Sequence, residues 1–180
     1  AMYRCVALSV LRGHIDPFDA EAVGLVARSI SIDVRGAEAF LDDEDVSTQI
    51  RTPEISNTVS IIAAHTPVRE AMRMQQRQWI EANGGGVVEG RDICAVVLPD
   101  APVRLFITAD PEARANRRAK EIGAEVTATQ SDLEKRDLAD STRAVSPLEI
   151  APGARVIDTT YMELSEVIAQ VVDIARAAHG

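Results

Sequence analysis

Val103-Arg104-Leu105-Phe106-Ile107-Thr108-Ala109-Asp110-Pro111-Glu112-Ala113-Arg114 is the stretch on which the fold reading turns. Its first six residues form an apolar, β-rich run. Asp110-Pro111 then opens a helix that holds Arg114, Arg117 and Arg118. A strand running directly into a helix predicts a βα unit, and the surroundings repeat the pattern. Upstream, Asn83-Gly84-Gly85-Gly86 ends a helix, Val87-Val88-Glu89-Gly90 reads as a short buried strand, and 95–98 continue apolar. Downstream, Ser131-Asp132-Leu133-Glu134 has capping-box spacing and predicts another helix start. Arg155-Val156-Ile157-Asp158 reads as a last strand, and Leu164, Val167, Ile168, Val171, Val172 and Ala175 mark the core face of a final helix.

Toward the N-terminus two helices are broken at Gly13-His14-Ile15-Asp16-Pro17, the second carrying Ala20, Val23, Leu25, Val26 and Ile30 as its core stripe. Residues 30–34, 39–41 and 46–50 look like short strands with acidic turns, a small β insertion. Residues 52–82 read as helix interrupted at Pro67, with Thr66 as N-cap and Pro67 in the first helical position. Strands alternating with helices predict an α/β fold built on a parallel sheet. Ligands collect at the carboxyl ends of such strands, and Gly90-Arg91-Asp92 stands at one.

Composition narrows the function. The 180 residues are 46% hydrophobic and 26% charged, enough for one globular core. A net charge of −9 counts against duplex nucleic acid, and 3% aromatics against a base-stacking surface. Cys5 and Cys94 make no disulfide framework, and His14, His65 and His179 are scattered, so no metal site is expected. No apolar run approaches a membrane span, and a soluble, reduced, cytoplasmic domain is the expectation. Of 19 basic residues, 17 are Arg and only Lys120 and Lys135 are Lys. Arginine binds phosphate bidentately, although a compositional bias explains the count equally well.

Three constellations carry candidate chemistry. In Glu89-Gly90-Arg91-Asp92 the Arg could clamp a phosphate and the Asp accept from a donor, or the two could form a local turn pair. Arg136, Asp140 and Arg143 share one helical face, where Arg136 and Asp140 also fit an ordinary solvated ion pair. Arg114, Arg117 and Arg118 form a third group, whose mutual repulsion an anion would relieve. Residues 104–143 carry eight basic and eight acidic side chains, so the remainder bears the whole −9. An arginine-bearing segment on an acidic body suits a mobile anion-binding lid.

Gly90-Arg91-Asp92-Ile93, Val96-Val97-Leu98-Pro99-Asp100-Ala101 and Asp140-Ser141-Thr142-Arg143-Ala144-Val145-Ser146-Pro147-Leu148 closely resemble bacterial cytidylate kinases, as do Ala1-Met2-Tyr3-Arg4 and Ile50-Arg51-Thr52-Pro53-Glu54. The resemblance runs through all 180 residues in family order. It implies a P-loop nucleoside-monophosphate kinase fold: a parallel sheet flanked by helices, with a β-containing NMP-binding insertion over 31–84 and a helical lid over 111–143. It further implies transfer of the γ-phosphoryl of ATP, with Mg²⁺, to CMP or dCMP by a cytoplasmic monomer. Ser60, Arg69 and Asp92 would read cytosine. Arg4, Arg91 and Arg143 would hold the acceptor's phosphate, and Arg136 and Asp140 would reach its sugar and phosphate. Arg114, Arg117 and Arg118 would lie near the ATP phosphates. Rival readings are a UMP or AMP kinase, and a nucleotide-binding module without catalysis.

Two departures stand against the pattern. Gly-x-x-x-x-Gly-Lys-Ser/Thr does not occur in these residues: Lys120 follows Ala119 and Lys135 follows Glu134. The family's P-loop would lie ahead of Ala1, in a strand–loop–helix of roughly 30–40 residues. Residues preceding these 180, a start at Met2 with Ala1 a cloning remnant, and a shortened inactive relative are the three readings. The first is favoured because losing a central strand would expose two strand edges. The second departure is Cys94-Ala95, where the family carries Gly-Thr, which bears on the backbone beside the acceptor site.

Overall fold

The computed structural model describes residues 1–142 and 148–179, the side chains of Arg136 and His179 excepted. It divides into two compact units, Ala1–Gly86 and Val87–Gly180.

The first unit holds the main hydrophobic core. Helix α1 (Met2–Arg12) buries Cys5, Val6, Ala7, Leu8 and Val10. Helix α2 (Ala20–Ser29) starts at Asp19, whose carboxylate accepts from the amides of Glu21 and Ala22 and satisfies two of the first-turn donors. Strands β1 (Ile32–Arg35), β2 (Glu38–Leu41) and β3 (Glu44–Asp45) form an antiparallel meander in that order. Helices α3 (Pro53–Ile62) and α4 (Thr66–Ala82) complete the unit, α3 capped by Thr52 with Pro53 in its first turn. Ile62, Val68 and Met72 meet α1 and α2 residues in one buried cluster. Helix α2 packs on α4 at Gly24, where a Cβ would stand 2.5 Å from the Pro67 Cβ. Only glycine permits that approach.

The second unit is built around two parallel strands, β4 (Leu105–Thr108) and β5 (Arg155–Asp158), paired Leu105 to Arg155 through Thr108 to Asp158. Helix α5 (Pro111–Ile122) starts at Asp110, whose carboxylate accepts from the Glu112 amide, and ends at Gly123 with φ +65°. That is the proline-first, glycine-last asymmetry of a well-bounded helix. Helix α6 (Val126–Thr142) packs against α5, and α7 (Leu164–His179) closes the chain.

Both N-terminal helices, the Asp110 start and β5 agree with expectation, except that Leu25, expected in the core stripe of α2, is 62% exposed because it stands on the helix face opposite Val23 and Ala27; several further features differ. Residues 46–50 are not a strand, because Asp45 accepts from the amide and hydroxyl of Ser47 and turns the chain into a 3-10 turn at Gln49–Arg51. The N-cap of α4 is His65, one residue before the expected Thr66, and its ring bonds the Pro17 carbonyl at 2.8 Å. Ser131 does not start a helix: no Gly or Pro lies between Gly123 and Ser131, so α6 begins at Val126 and runs through. Residues 87–90 are not a strand, and Val87 is 97% exposed: a strand exists only by lateral pairing, and among the described residues none pairs with this segment. The expected core face of α7 also splits. Val167, Val171 and Ala175 are half-buried, whereas Leu164, Ile168 and Val172 are exposed.

Candidate functional site

Among the described residues, a dense ionic cluster lies in the second unit. Gly90 opens it: a Cβ there would come within 2.9 Å of the Ile93 side chain, so the chain turns tightly before Arg91. A π-helical turn, Ile93–Val97, follows directly, with the amides of Val96 and Val97 donating to the Asp92 carbonyl. Cys94, the residue that departs from the family pattern, sits in this turn and donates its thiol to the Leu105 carbonyl, tying the turn to β4.

Arg91 emerges from this anchored segment toward α6. Its Nη1 donates to Asp137 Oδ1 at 2.5 Å, and its Nε lies 2.9 Å from Asp140 Oδ2. From α5, Arg114 donates through Nη1 to the other oxygen of the same Asp137 carboxylate. Three elements therefore meet on two carboxylates spaced three apart on α6. Burial pushes the Asp137 carboxyl up, but the hydrogen bonds and charges of Arg114 and Arg91 outweigh it and hold the group below the ordinary carboxylate range. Ionised Asp137 is thus the resting state.

The expected residues distribute as follows. Arg91, Asp140 and Arg114 are brought together, with Asp92 adjacent in the chain. Arg117 turns elsewhere: it donates to the Thr159 hydroxyl and carbonyl and to the Met162 carbonyl, gripping the chain just past β5. Arg118 pairs with Glu121 one turn along α5 in an exposed contact. Arg136 belongs to α6, its side chain lying outside the described residues, as does the whole of Arg143. In the first unit, Arg4 donates to the Ile50 carbonyl at 2.7 Å. Arg69, almost fully buried, donates to the Ala63 carbonyl at the end of α3 and lies 5.8 Å from the centre of the Tyr3 ring. A cation there completes carbonyls that the helix end leaves open. Ser60 is exposed on α3 and donates back to the Ser56 carbonyl. A polar cleft on the hairpin, lined by Ser31, Asp33, Arg35, Phe40 and Asp43, involves none of these residues.

Asp137 escaped the sequence reading. A signal was present: Glu134, Asp137 and Asp140 recur at three-residue steps with no Lys or Arg three or four positions from Asp137. Like charges so spaced repel. Cations from other elements are what such a stripe requires, and Arg91 and Arg114 supply them.

Among the described residues, no three His, Cys, Asp or Glu side chains are grouped to hold a metal. Mg²⁺ ordinarily binds through substrate phosphates and waters rather than an all-protein cage. No helix among the described residues is long and apolar enough to cross a membrane.

A mixed α/β fold with a parallel strand pair, and arginines from separate elements gathered at one point, is consistent with a nucleoside-monophosphate kinase. The family model for cytidylate kinase matches residues 1–177, and the chain belongs to that family. It is 45% identical over 185 residues to a cytidylate kinase of Mycobacterium leprae (strain Br4923), covering all of this chain and 83% of that protein. It is 41% identical over 185 residues to a cytidylate kinase of Ralstonia pickettii (strain 12J), covering all of this chain and 80% of the relative. With a cytidylate kinase of Limosilactobacillus reuteri (strain DSM 20016) the identity is 45% over 186 residues, 98% of this chain and 81% of the other.

Proposed function

We propose that this protein phosphorylates CMP and dCMP with ATP as donor, in the cytoplasm and as a monomer. The observation that carries the reading is the convergence of Arg91 and Arg114, from two different elements, on the carboxylates of α6. Phosphoryl transfer requires positioning and charge neutralisation more than covalent chemistry, so gathered arginines are suitable tools.

In this reading Arg91, with Arg4 and Arg143, holds the acceptor phosphate, while Asp140 and Arg136 take its sugar side. Ser60, Arg69 and Asp92 select cytosine. Asp92 accepts from the exocyclic amine, a bond that uracil, with a carbonyl there, cannot make. Arg114 faces the donor phosphates, with Arg117 and Arg118 on the same helix, and 111–143 acts as a lid that excludes water. Residues 31–84 form the NMP-binding region. ATP brings Mg²⁺ with it.

A coupled phosphoryl-transfer assay across CMP, dCMP, UMP and AMP tests the substrate class. CMP and dCMP should be preferred, and preference for UMP or AMP would overturn the assignment. The second reading is a nucleotide-binding module without turnover. Titration calorimetry with CMP alongside the assay separates the two.

A further inference from the structure

We propose that Asp137 is a positioning residue, whose single carboxylate locks Arg91 and Arg114 into one pre-assembled anion receptor. The inference rests on the reading that Arg91 and Arg114 serve nucleotide phosphates, and it adds a residue to which that reading gives no role.

The argument starts from charge. Two guanidinium groups gathered at a shared point repel each other. Asp137 removes that penalty by giving one oxygen to each. Arg114 depends on it most. Its Nε is buried without a hydrogen-bond partner, and among the described residues Asp137 is the acceptor its guanidinium meets. An arginine with part of its fork unpaired stays in place only if another contact offsets that loss. Arg91 has a second anchor in Asp140, so it is fixed from two sides and leaves Nη2 uncommitted to either contact.

The carboxylate is also suited to remain in this role across physiological pH, since its two arginines keep it ionised. Arg91 and Arg114 therefore move as a pair. If one is drawn toward an acceptor phosphate, the other, on the lid helix α5, is carried with it. Asparagine would preserve the size of the side chain. It would offer only one acceptor oxygen, and its amide donor would face a guanidinium. Glutamate would keep the charge with a longer reach.

The test uses Asp137→Asn and Asp137→Glu in the full chain, with two readouts. In ¹⁵N spectra of the arginine Nε–H groups, Asp137→Asn should release Arg114 fully and Arg91, which keeps Asp140, to a smaller degree, and Asp137→Glu should restore both in part. Change at one arginine alone, or at neither, overturns the proposal. In calorimetry, Asp137→Asn should weaken CMP binding about tenfold, the loss of one charge-assisted contact. Cytidine, which has no phosphate, should bind unchanged, and Asp137→Glu should recover part of the CMP loss. Equal weakening of CMP and cytidine would mean a merely structural role. Unchanged or tighter CMP binding would mean that the carboxylate does not position the receptor or competes with phosphate. If the unaltered protein binds no CMP, the nucleotide reading fails, and the arginine spectra still decide the role of Asp137.

Discussion

Replacing Arg91 with alanine withdraws one guanidinium from between two carboxylates. Its bonds span 2.5 Å to Asp137 and 2.9 Å to Asp140, and all three side chains are more than two-thirds buried. A hydrogen bond to a charged group contributes about 1.5–3 kcal/mol, so two of them set an upper range of about 3–6 kcal/mol. Asp137 keeps Arg114, and neither carboxylate is fully dry, so the expected destabilisation is about 2–3 kcal/mol. The pH dependence follows from Asp137, whose folded-state pKa is depressed. Such a group stabilises the fold above its unfolded value of about 3.9, and the contribution is lost as pH falls through the folded value. Without Arg91 the depression shrinks. The difference between wild type and Arg91→Ala should therefore be full at neutral pH and narrow below about pH 4. Urea unfolding at about pH 7 and about pH 3.5 measures it, with CMP titration at the upper pH. Equal stability at both, or a gap that widens on acidification, would refute the ionic account. CMP affinity unaltered by the substitution would refute the placement of Arg91 on the acceptor phosphate.

Further outcomes are open to measurement. Met72→Ala, at a fully buried site, should cost about 2–5 kcal/mol in urea unfolding, and a loss under about 1 kcal/mol would contradict the placement of the first unit's core. Gly24→Ala would ordinarily gain about 1 kcal/mol within a helix. Against the Pro67 ring it should instead destabilise by about 1–3 kcal/mol, so the sign of the change in melting temperature is diagnostic. Arg117→Ala should raise amide exchange at 159–162, where Arg117 holds two carbonyls; unchanged exchange would deny the clamp. The 180 residues alone should bind CMP without turnover, since they contain no phosphate-loop lysine, and appreciable kcat would show that such a loop is dispensable.

Local chemistry made several elements legible. Asp110-Pro111 opens α5 because capping and fixed φ act within a few residues, and β5 was read to the residue from a short run with Val156 and Ile157 at its centre. Where a competing local bond or an absent neighbour decided the outcome, the reading failed. Ser47 turned back on Asp45 and replaced a strand with a 3-10 turn. Residues 87–90 have strand composition and yet remain unpaired, since ladder bonds come from elsewhere in the chain. The site divides in the same way. Arg91, Asp140 and Arg114 could be chosen by residue type and motif, whereas Asp137 looked like one more surface acid.

The order of residues alone determined the α/β class, the family and the inventory of arginines, because caps, periodicity and motifs are written in near neighbours. Partnership was decided by tertiary structure. Arg114, Arg117 and Arg118 are equivalent by spacing, but they part toward Asp137, Thr159 and Glu121. The physical reason is that an ion pair depends on distance in space. Asp137 and Arg91 are 46 positions apart in the chain and 2.5 Å apart in the fold.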